Sequence, residues 1–288
     1  MKTVIGLIQS PCCDNLAINL KNTERLIEKA VQQGAQIICL QELFQTPYFP
    51  QYPNAAYDDF AESIPGPSIE ALRAIAKKNQ IVLIVPLFER TAGGEVLQKH
   101  AEGQYFNSAV VIDADGQLLD TYRKIHIPYD PLFYEKKYFS PGSCYRVYQT
   151  RYATFAVLIC YDQWFPEAAR IVSLMGADII FYPTAIGTII GHTSQDGDWH
   201  DAWEGVMRGH AIANSVHVAA INRTGIEDRL NFWGQSFVCD SFGTILSKAG
   251  LKEEILICPV DLSKNQRVRE GWGFFANRRP DTYYPLVK

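Results

Sequence analysis

Four residues stand where this chain could carry out acyl transfer. Cys160 follows the apolar run FAVLI (155–159) and precedes Tyr161, Asp162, Gln163 and Trp164, after which Pro166 opens a helical pattern ending near Gly176. Proline suits a first helical turn, where its missing N–H has no partner to lose. A thiol on a tight strand-to-helix connection, near helix-N-terminal amides, is positioned to be a nucleophile. Such a nucleophile needs a group to take its proton and a group to hold charge on the attacked oxygen. Glu42 comes just after the run AQIICL (35–40) and enters the aromatic stretch LFQTPYFPQY, a setting that suits a general base. Lys124 closes QLLDTYRK (117–124) and can act as a point charge on an oxyanion. Alternation along that strand turns its neighbour Arg123 to the other face. Glu135, in PLFYEKKYFSPG, lies on the loop leading to the cysteine strand.

Each residue also has a plainer role. Cys160 suits a buried small hydrophobe, Glu42 a solvated strand end, Lys124 a snorkelling surface position, and Glu135 an ion pair with Lys136 or Lys137. Taken together they say more, because Glu42, Lys124 and Cys160 each end a strand-like run and would converge at one sheet edge. That edge is where open α/β sheets bind ligands. No catalytic histidine is needed there, and His126, beside Lys124, reads as a structural hydrogen-bonding residue.

The elements that must position these groups are legible from periodicity and punctuation. Strands are predicted at 3–9, 35–40, 81–90, 179–185, 217–223, 234–240 and 253–260, with the cysteine strand between the fourth and a Pro/Tyr-rich loop at 127–143. Helices are predicted at 16–33, capped by Asp14 or Asn15 and stopped by Gly34, and at 68–79, 166–175 and about 201–215. The runs 104–113 and 117–124 flank Ala-Asp-Gly as a hairpin, and DSFG (240–243) marks a second hairpin turn. Alternating strands and helices, with some strand pairs joined directly, predict an α/β protein of mixed sheets with helices on the outer faces. With no repeat, low-complexity tract or linker, one domain over 1–288 is the simpler organisation. An aromatic- and proline-rich arm at about 265–288 is expected to pack on its own domain or on a neighbouring subunit.

The composition narrows the function classes. The 288 residues carry a net charge of −4, which leaves no basic stripe for nucleic acid or anionic membrane. No apolar run approaches the roughly 20 residues that span a bilayer, and MKTVIGLIQSPCCD reads as a first strand rather than a signal peptide. Seven cysteines, an odd number with no C-x-x-C pair, point to free thiols and a reducing cytoplasm. Two rival enzyme chemistries find little support. A metal-dependent amidohydrolase would draw on His192, His200, Glu204 and His210, without an H-E-x-x-H motif, and a serine hydrolase lacks its G-x-S-x-G elbow. From another class, a non-catalytic binding module on a hydrolase-like fold stays open.

LQELFQTPYF (40–49), YRKIHIP (122–128) and ICYDQWFPE (159–167) resemble the three signature blocks of the nitrilase, or carbon–nitrogen hydrolase, superfamily. Each block carries one member of that family's Glu-Lys-Cys triad, matching Glu42, Lys124 and Cys160. Weaker similarity extends through NSAVVIDADG (107–116), YFSPG (138–142), YPTAIG (182–187), RGHAIAN (208–214) and RRPDTY (278–283). The resemblance implies a four-layer αββα sandwich, a homodimer or larger homo-oligomer, and no metal or organic cofactor. It also implies that Glu135 matches a second glutamate supporting the triad. The QELF–PYF combination and WHDAWEGVMRGHAIAN are most similar to the branch that acts on N-carbamoyl amines. The implied reaction is hydrolysis of N-carbamoylputrescine to putrescine, carbon dioxide and ammonia. N-carbamoyl-β-alanine, ω-amides and simple aliphatic amides are the alternative substrates. One departure stands out: YDPLFYEKK (129–137) occupies the place of a glycine-rich DGPGYQEK-type loop. Asp130 survives at about the aspartate position and is expected to pair with a distal ammonium. Tyr161, Tyr48, Thr184 and Ala185 are the other expected substrate contacts, with the Tyr161 backbone N–H helping to hold the oxyanion.

Overall fold

Side-chain alternation along the first strand, Lys2–Gln9, sets the layering. Ile5 and Leu7 belong to a core shared with a second sheet, whereas Ile8 packs with Leu26, Ile27 and Ala30 of the helix Leu16–Gln32. The same period of two recurs in the neighbouring strands. Ile37, Cys39, Val82 and Ile84 face the shared core, and Ile38, Leu40, Leu83 and Val85 face the helices. The computed structural model describes residues 2–91, 104–193 and 195–287.

Two six-stranded sheets result. The first runs, in order, Glu254–Asp261, Lys2–Gln9, Ile37–Leu40, Val82–Arg90, Tyr105–Ile112 and Tyr122–Arg123. Its Lys2–Gln9, Ile37–Leu40 and Val82–Arg90 strands are parallel, and antiparallel strands flank them on both sides. The second sheet repeats the plan: Ile245–Lys248, Phe237–Cys239, His217–Asn222, Ile179–Thr184, Thr154–Val157 and Val147–Gln149, with the third, fourth and fifth parallel. Helices Leu16–Gln32 and Pro67–Asn79 cover the first sheet, and Pro166–Leu174 and Trp199–Asn214 cover the second through Ala168, Ala169, Val172, Trp203, Met207 and Ala211. Helix, sheet, sheet, helix: the chain is an α/β four-layer sandwich. No helix among the described residues is long and apolar enough to cross a membrane.

Local signals explain most of the boundaries. Asn15 caps the first helix by accepting from the Ile18 N–H, and Asp198 caps Trp199–Asn214 through the N–H groups of His200 and Asp201. Pro67 and Pro166 sit in the first turns of their helices. The DSFG turn closes as expected, with the Gly243 N–H donating to the Asp240 carbonyl at 2.9 Å.

Four departures from the sequence reading have physical causes. The second arm of the first hairpin is a strand only at Tyr122–Arg123, with a lone bridge from Ile112 to Leu118, because the chain then leaves the ladder to carry Lys124 inward. The cysteine strand ends at Val157, and a single 3₁₀ turn, Cys160–Trp164, intervenes before the helix at Pro166. The arm placed at about 265–288 begins within a helix, Ser263–Trp272, that periodicity did not announce. A small third sheet of Gly187–Ile189, Thr224–Glu227 and Leu230–Trp233 was not foreseen; strands of three or four residues leave almost no periodic trace.

Gly142 shows how tightly the Lys124 segment is held. Its N–H donates to the Lys124 carbonyl at 2.8 Å, and a Cβ added there would lie 2.1 Å from the Arg123 carbonyl oxygen. Gly142→Ala should therefore destabilise the protein by about 1–3 kcal/mol in urea unfolding. An unchanged midpoint would show that the backbone has room to yield there.

Candidate active site

The Ile37–Leu40 strand of one sheet and the Thr154–Val157 strand of the other are central parallel strands. The chain turns out of the first at Glu42 and out of the second at Cys160. Both exits are backbone-strained: Leu43 (φ 51°) and Cys160 (φ 43°) adopt left-handed conformations that non-glycine residues rarely take. Lys124 enters from the edge of the first sheet. Its Nζ donates to Glu42 Oε1 at 2.8 Å and to Glu135 Oε2 at 2.7 Å, with all three side chains buried.

Further partners hold each member. Asn107 Nδ2 donates to Glu42 Oε1 at 2.7 Å, while the Asn107 carbonyl accepts the Lys124 N–H at 2.8 Å. One residue thus orients the carboxylate and ties down the lysine backbone. Tyr48 donates its hydroxyl to Glu135 Oε1 at 2.8 Å. Arg223, fully buried, ties the turn after Glu42 together: its guanidinium donates to the carbonyls of Glu42 (3.1 Å), Leu43 (2.9 Å) and Thr46 (3.0 Å) and to Glu227 Oε1 at 2.6 Å. The other oxygen of Glu227 accepts the Tyr48 N–H at 2.6 Å. The second oxygen of Glu42, Oε2, is buried with no hydrogen-bond partner among the described residues.

The electrostatics follow from burial and crowding. Burial pushes the Glu135 carboxyl up to about 7, with the Lys124 ammonium opposing the rise and the Glu42 carboxylate adding to it. Burial alone would lower the Lys124 ammonium, but the Glu135 and Glu42 carboxylates outweigh it and hold the group above its ordinary value. Burial, reinforced by the Glu42 carboxylate and only partly offset by Lys124, keeps the Cys160 thiol well above its ordinary range. At neutral pH the sulfur therefore rests as a protonated thiol.

Cys160 and Glu135 open onto a cavity of about 220 Å³ walled by Phe133, Trp164, Ile186 and Trp199. Of the expected substrate contacts, Asp130, Tyr161 and Ala185 line this cavity, and the Ala185 carbonyl oxygen lies 4.0 Å from Cys160 Sγ. Asp130 is solvent-exposed and also lines an adjoining groove of about 710 Å³, together with His126 and Lys136. Tyr48 and Thr184 are not brought to the cavity. Tyr48 is buried against Glu135, and the Thr184 hydroxyl donates to the Tyr182 carbonyl at 3.0 Å. His126 has the structural bonding expected of it, through Asp162, and its ring stacks on Phe165 at 3.6 Å. Arg123 turns away from Lys124 to pair with Glu89 and cover the Phe106 ring.

The rival metal set is not assembled. Glu204 pairs with Lys248, His210 meets the Gln163 carbonyl, and the only potential ligand group among the described residues is Asp198, His200 and Asp201. Asn107, Arg223 and the aromatic wall escaped the sequence reading. Asn107 interrupts an otherwise apolar strand and Arg223 closes the HVAAIN run, so both carried a usable signal: a polar group where a buried strand would not tolerate one unpaired.

A family model described as carbon–nitrogen hydrolase matches residues 5–270. The chain is 41% identical to the N-carbamoylputrescine amidase of Solanum lycopersicum, over 98% of this chain and 94% of that protein. It is 39% identical to the citrullinase of Francisella tularensis, over 99% and 98%. A crystal structure of a carbon–nitrogen hydrolase from Helicobacter pylori G27 superposes with a TM-score of 0.92 at 38% identity, covering 100% of this chain and 99% of that one.

The buried charges predict a pH-dependent defect. Lys124→Met leaves two carboxylates uncompensated in the interior, which costs roughly 3–5 kcal/mol when one partner of a buried pair is removed. Those carboxyls then bind protons more tightly in the folded than in the unfolded chain. The deficit should be smallest near about pH 4 and should grow as pH rises toward neutrality. Urea unfolding at several pH values reads it directly; a pH-independent deficit would contradict the arrangement.

Proposed function

The chain belongs to the carbon–nitrogen hydrolase family, and from that premise we propose that it hydrolyses the ureido C–N bond of N-carbamoylputrescine through a covalent intermediate on Cys160. The observation that carries the catalytic reading is the free oxygen of Glu42. Its Oε1 is held by Lys124 and Asn107, while Oε2 is buried without a partner in the cluster whose charge bears on the Cys160 thiol. A carboxylate so held has one oxygen left to accept a proton.

In this reading the thiol is deprotonated as it attacks. Glu42 takes the Cys160 proton, the sulfur bonds to the ureido carbon, and the carbonyl oxygen becomes an oxyanion held by the Lys124 ammonium and the Tyr161 backbone N–H. The C–NH₂ bond breaks, and the departing nitrogen receives the proton from Glu42 and leaves as ammonia. An N-alkylcarbamoyl thioester remains. Glu42 then takes a proton from water, whose oxygen bonds to the same carbon; the S–C bond breaks and the sulfur recovers the proton. The released carbamate loses carbon dioxide to give the free amine. Glu135 and Tyr48 act behind Lys124, fixing its ammonium at the far side from Glu42. A role for Glu135 as the proton acceptor is less well supported, since both its oxygens are already engaged.

The substrate assignment rests on the relatives and on the shape of the cavity. Apolar walls suit a tetramethylene chain, and an exposed carboxylate at Asp130 suits a terminal ammonium. Citrulline has the same ureido end with an added α-carboxylate, which would want a cation; Lys136 lines the adjoining groove together with Asp130.

Ammonia release should be measured at neutral pH on N-carbamoylputrescine, citrulline, N-carbamoyl-β-alanine and a simple ω-amide. The first is expected to have the highest kcat/KM, and Cys160→Ala should abolish turnover. Glu42→Gln should lower kcat by about 10²- to 10⁴-fold. Asp130→Asn should raise KM for N-carbamoylputrescine about fivefold, the scale of an exposed ion pair, and leave that for the neutral ω-amide unchanged. Preference for citrulline would move the assignment to the zwitterionic substrate, and an unchanged KM in Asp130→Asn would remove Asp130 from recognition.

A further inference from the structure

Asp162 is a carboxylate with no exposure, two residues after Cys160, and the reaction as written does not use it. Both its oxygens are fully engaged. Oδ2 accepts the Ile159 N–H at 2.9 Å and the Tyr122 hydroxyl at 2.7 Å. Oδ1 accepts the His126 backbone N–H at 3.0 Å and lies 2.7 Å from His126 Nδ1. A carboxylate offers only acceptors, so Nδ1 carries the proton.

The placement of these partners is what matters. Tyr122 and His126 lie two residues before and two residues after Lys124, the first on the edge strand of the first sheet and the second in the loop that follows it. Ile159 and Asp162 bracket Cys160 in the turn that follows the Thr154–Val157 strand, where the thiol-bearing residue holds a left-handed backbone. Four hydrogen bonds on one side chain therefore join both flanks of the lysine segment to both flanks of the cysteine turn, without touching either reactive group. Phe165 continues the contact by stacking on the His126 ring. The sandwich core fixes the two sheets against each other only to the tolerance of side-chain packing, and these bonds clamp the two chain segments together beside it.

We propose that Asp162 is a positioning residue that sets the Lys124 ammonium against the Cys160 sulfur, acting through Tyr122 and His126. The proposal rests on the assignment of Lys124 and Cys160 to the reaction, and its test includes a readout that needs no substrate. If the clamp loosens, Lys124 stands off from the sulfur, the thiolate loses its nearest cation, and the oxyanion loses a donor. Misplacement of a catalytic group by about 1 Å can lower a rate by about 10²-fold without loss of fold or binding.

Asp162→Asn keeps the shape and replaces one acceptor by a donor that faces groups which are themselves donors. Three quantities are compared with the parent: thermal midpoint, kcat and KM for ammonia release, and the rate at which iodoacetamide alkylates Cys160, followed on its own peptide by mass spectrometry. The expected result is a kcat lower by about 10- to 100-fold, a KM within about twofold, and a proportionate slowing of alkylation. Tyr122→Phe, which removes a single donor, should give a smaller loss of both rates, and the double variant should lose less than the product of the two single losses. A folded Asp162→Asn with parental kcat and parental alkylation overturns the proposal. So does a change confined to KM or to the thermal midpoint. If Asp162→Asn does not fold, Tyr122→Phe decides alone: parental rates of turnover and alkylation overturn the clamp, and loss of both sustains it. Should the parent turn over none of the amides, the functional reading fails separately, and the alkylation rates still report on the clamp.

Discussion

One ammonium buried between two carboxylates is the constraint to which the rest of the molecule answers. Moving an ion out of water costs several kcal/mol even after relaxation, and attraction in the interior recovers it only when geometry and additional hydrogen bonds are both good. Lys124 has a carboxyl oxygen on each side within 2.8 Å, so one cation serves two carboxyl groups, and burial pushes one of them, Glu135, up to about 7. That imbalance of two carboxyls to one cation explains the second ring of partners. Asn107 donates to Glu42 and Tyr48 donates to Glu135, each spreading charge that the single cation cannot neutralise. Arg223 adds a second buried cation just behind, directed at the backbone carbonyls of the turn rather than at the carboxylates. Four widely separated stretches of sequence, 42–48, 107, 124–135 and 223, thus meet around one charged group and the turn beside it.

The sandwich supplies what such a cluster requires, rigid surroundings on two sides. Glu42 and Lys124 hang from one sheet and Cys160 from the other, so their spacing is set by the packing between sheets, through residues such as Ile37, Cys39, Phe155 and Val157. The aromatic group around Phe49, in edge or tilted contact with Phe88, Tyr138 and Phe139 at 5.1–5.9 Å, fixes the stretch between Glu42 and the loop that carries Glu135. Left-handed backbone at Leu43 and Cys160 is tolerated because these neighbours over-determine it. The strain is concentrated where two chain exits must aim side chains at a common point.

Much of this was legible before any coordinates. Buried strands such as IICL and the β-rich run at 81–90 declare themselves by apolar content, and helix starts at Asn15, Pro67 and Pro166 by capping chemistry. Glu42, Lys124 and Cys160 were recoverable because each ends such a run. Tyr48 and Thr184 were less tractable. They were expected to contact a substrate, but the Tyr48 hydroxyl donates to the buried Glu135 carboxyl, and Thr184 belongs to a strand whose side chains alternate away from the cavity wall formed by Ala185. Asn107 and Arg223 announced only that a polar group in a buried run must find a partner, not which one. Their partners are 65 and 181 residues away, and no local pattern records a contact at that separation.

The same burial that stabilises the cluster bears on when the thiol reacts. A cysteine activated by an exposed cation would rest as thiolate and meet oxidants and stray electrophiles continuously. Here burial and the Glu42 carboxylate together favour the protonated sulfur, so the resting group is a poor nucleophile. In the proposed reaction the balance changes when a carbonyl enters the cavity, because loss of the proton to Glu42 is then accompanied by S–C bond formation and the developing oxyanion has Lys124 to meet. Proton transfer and bond formation are thereby coupled to substrate occupancy. A narrow cavity of about 220 Å³ with apolar walls reinforces that coupling, since a bound chain displaces water from around the sulfur and strengthens each of these interactions at the moment it is needed.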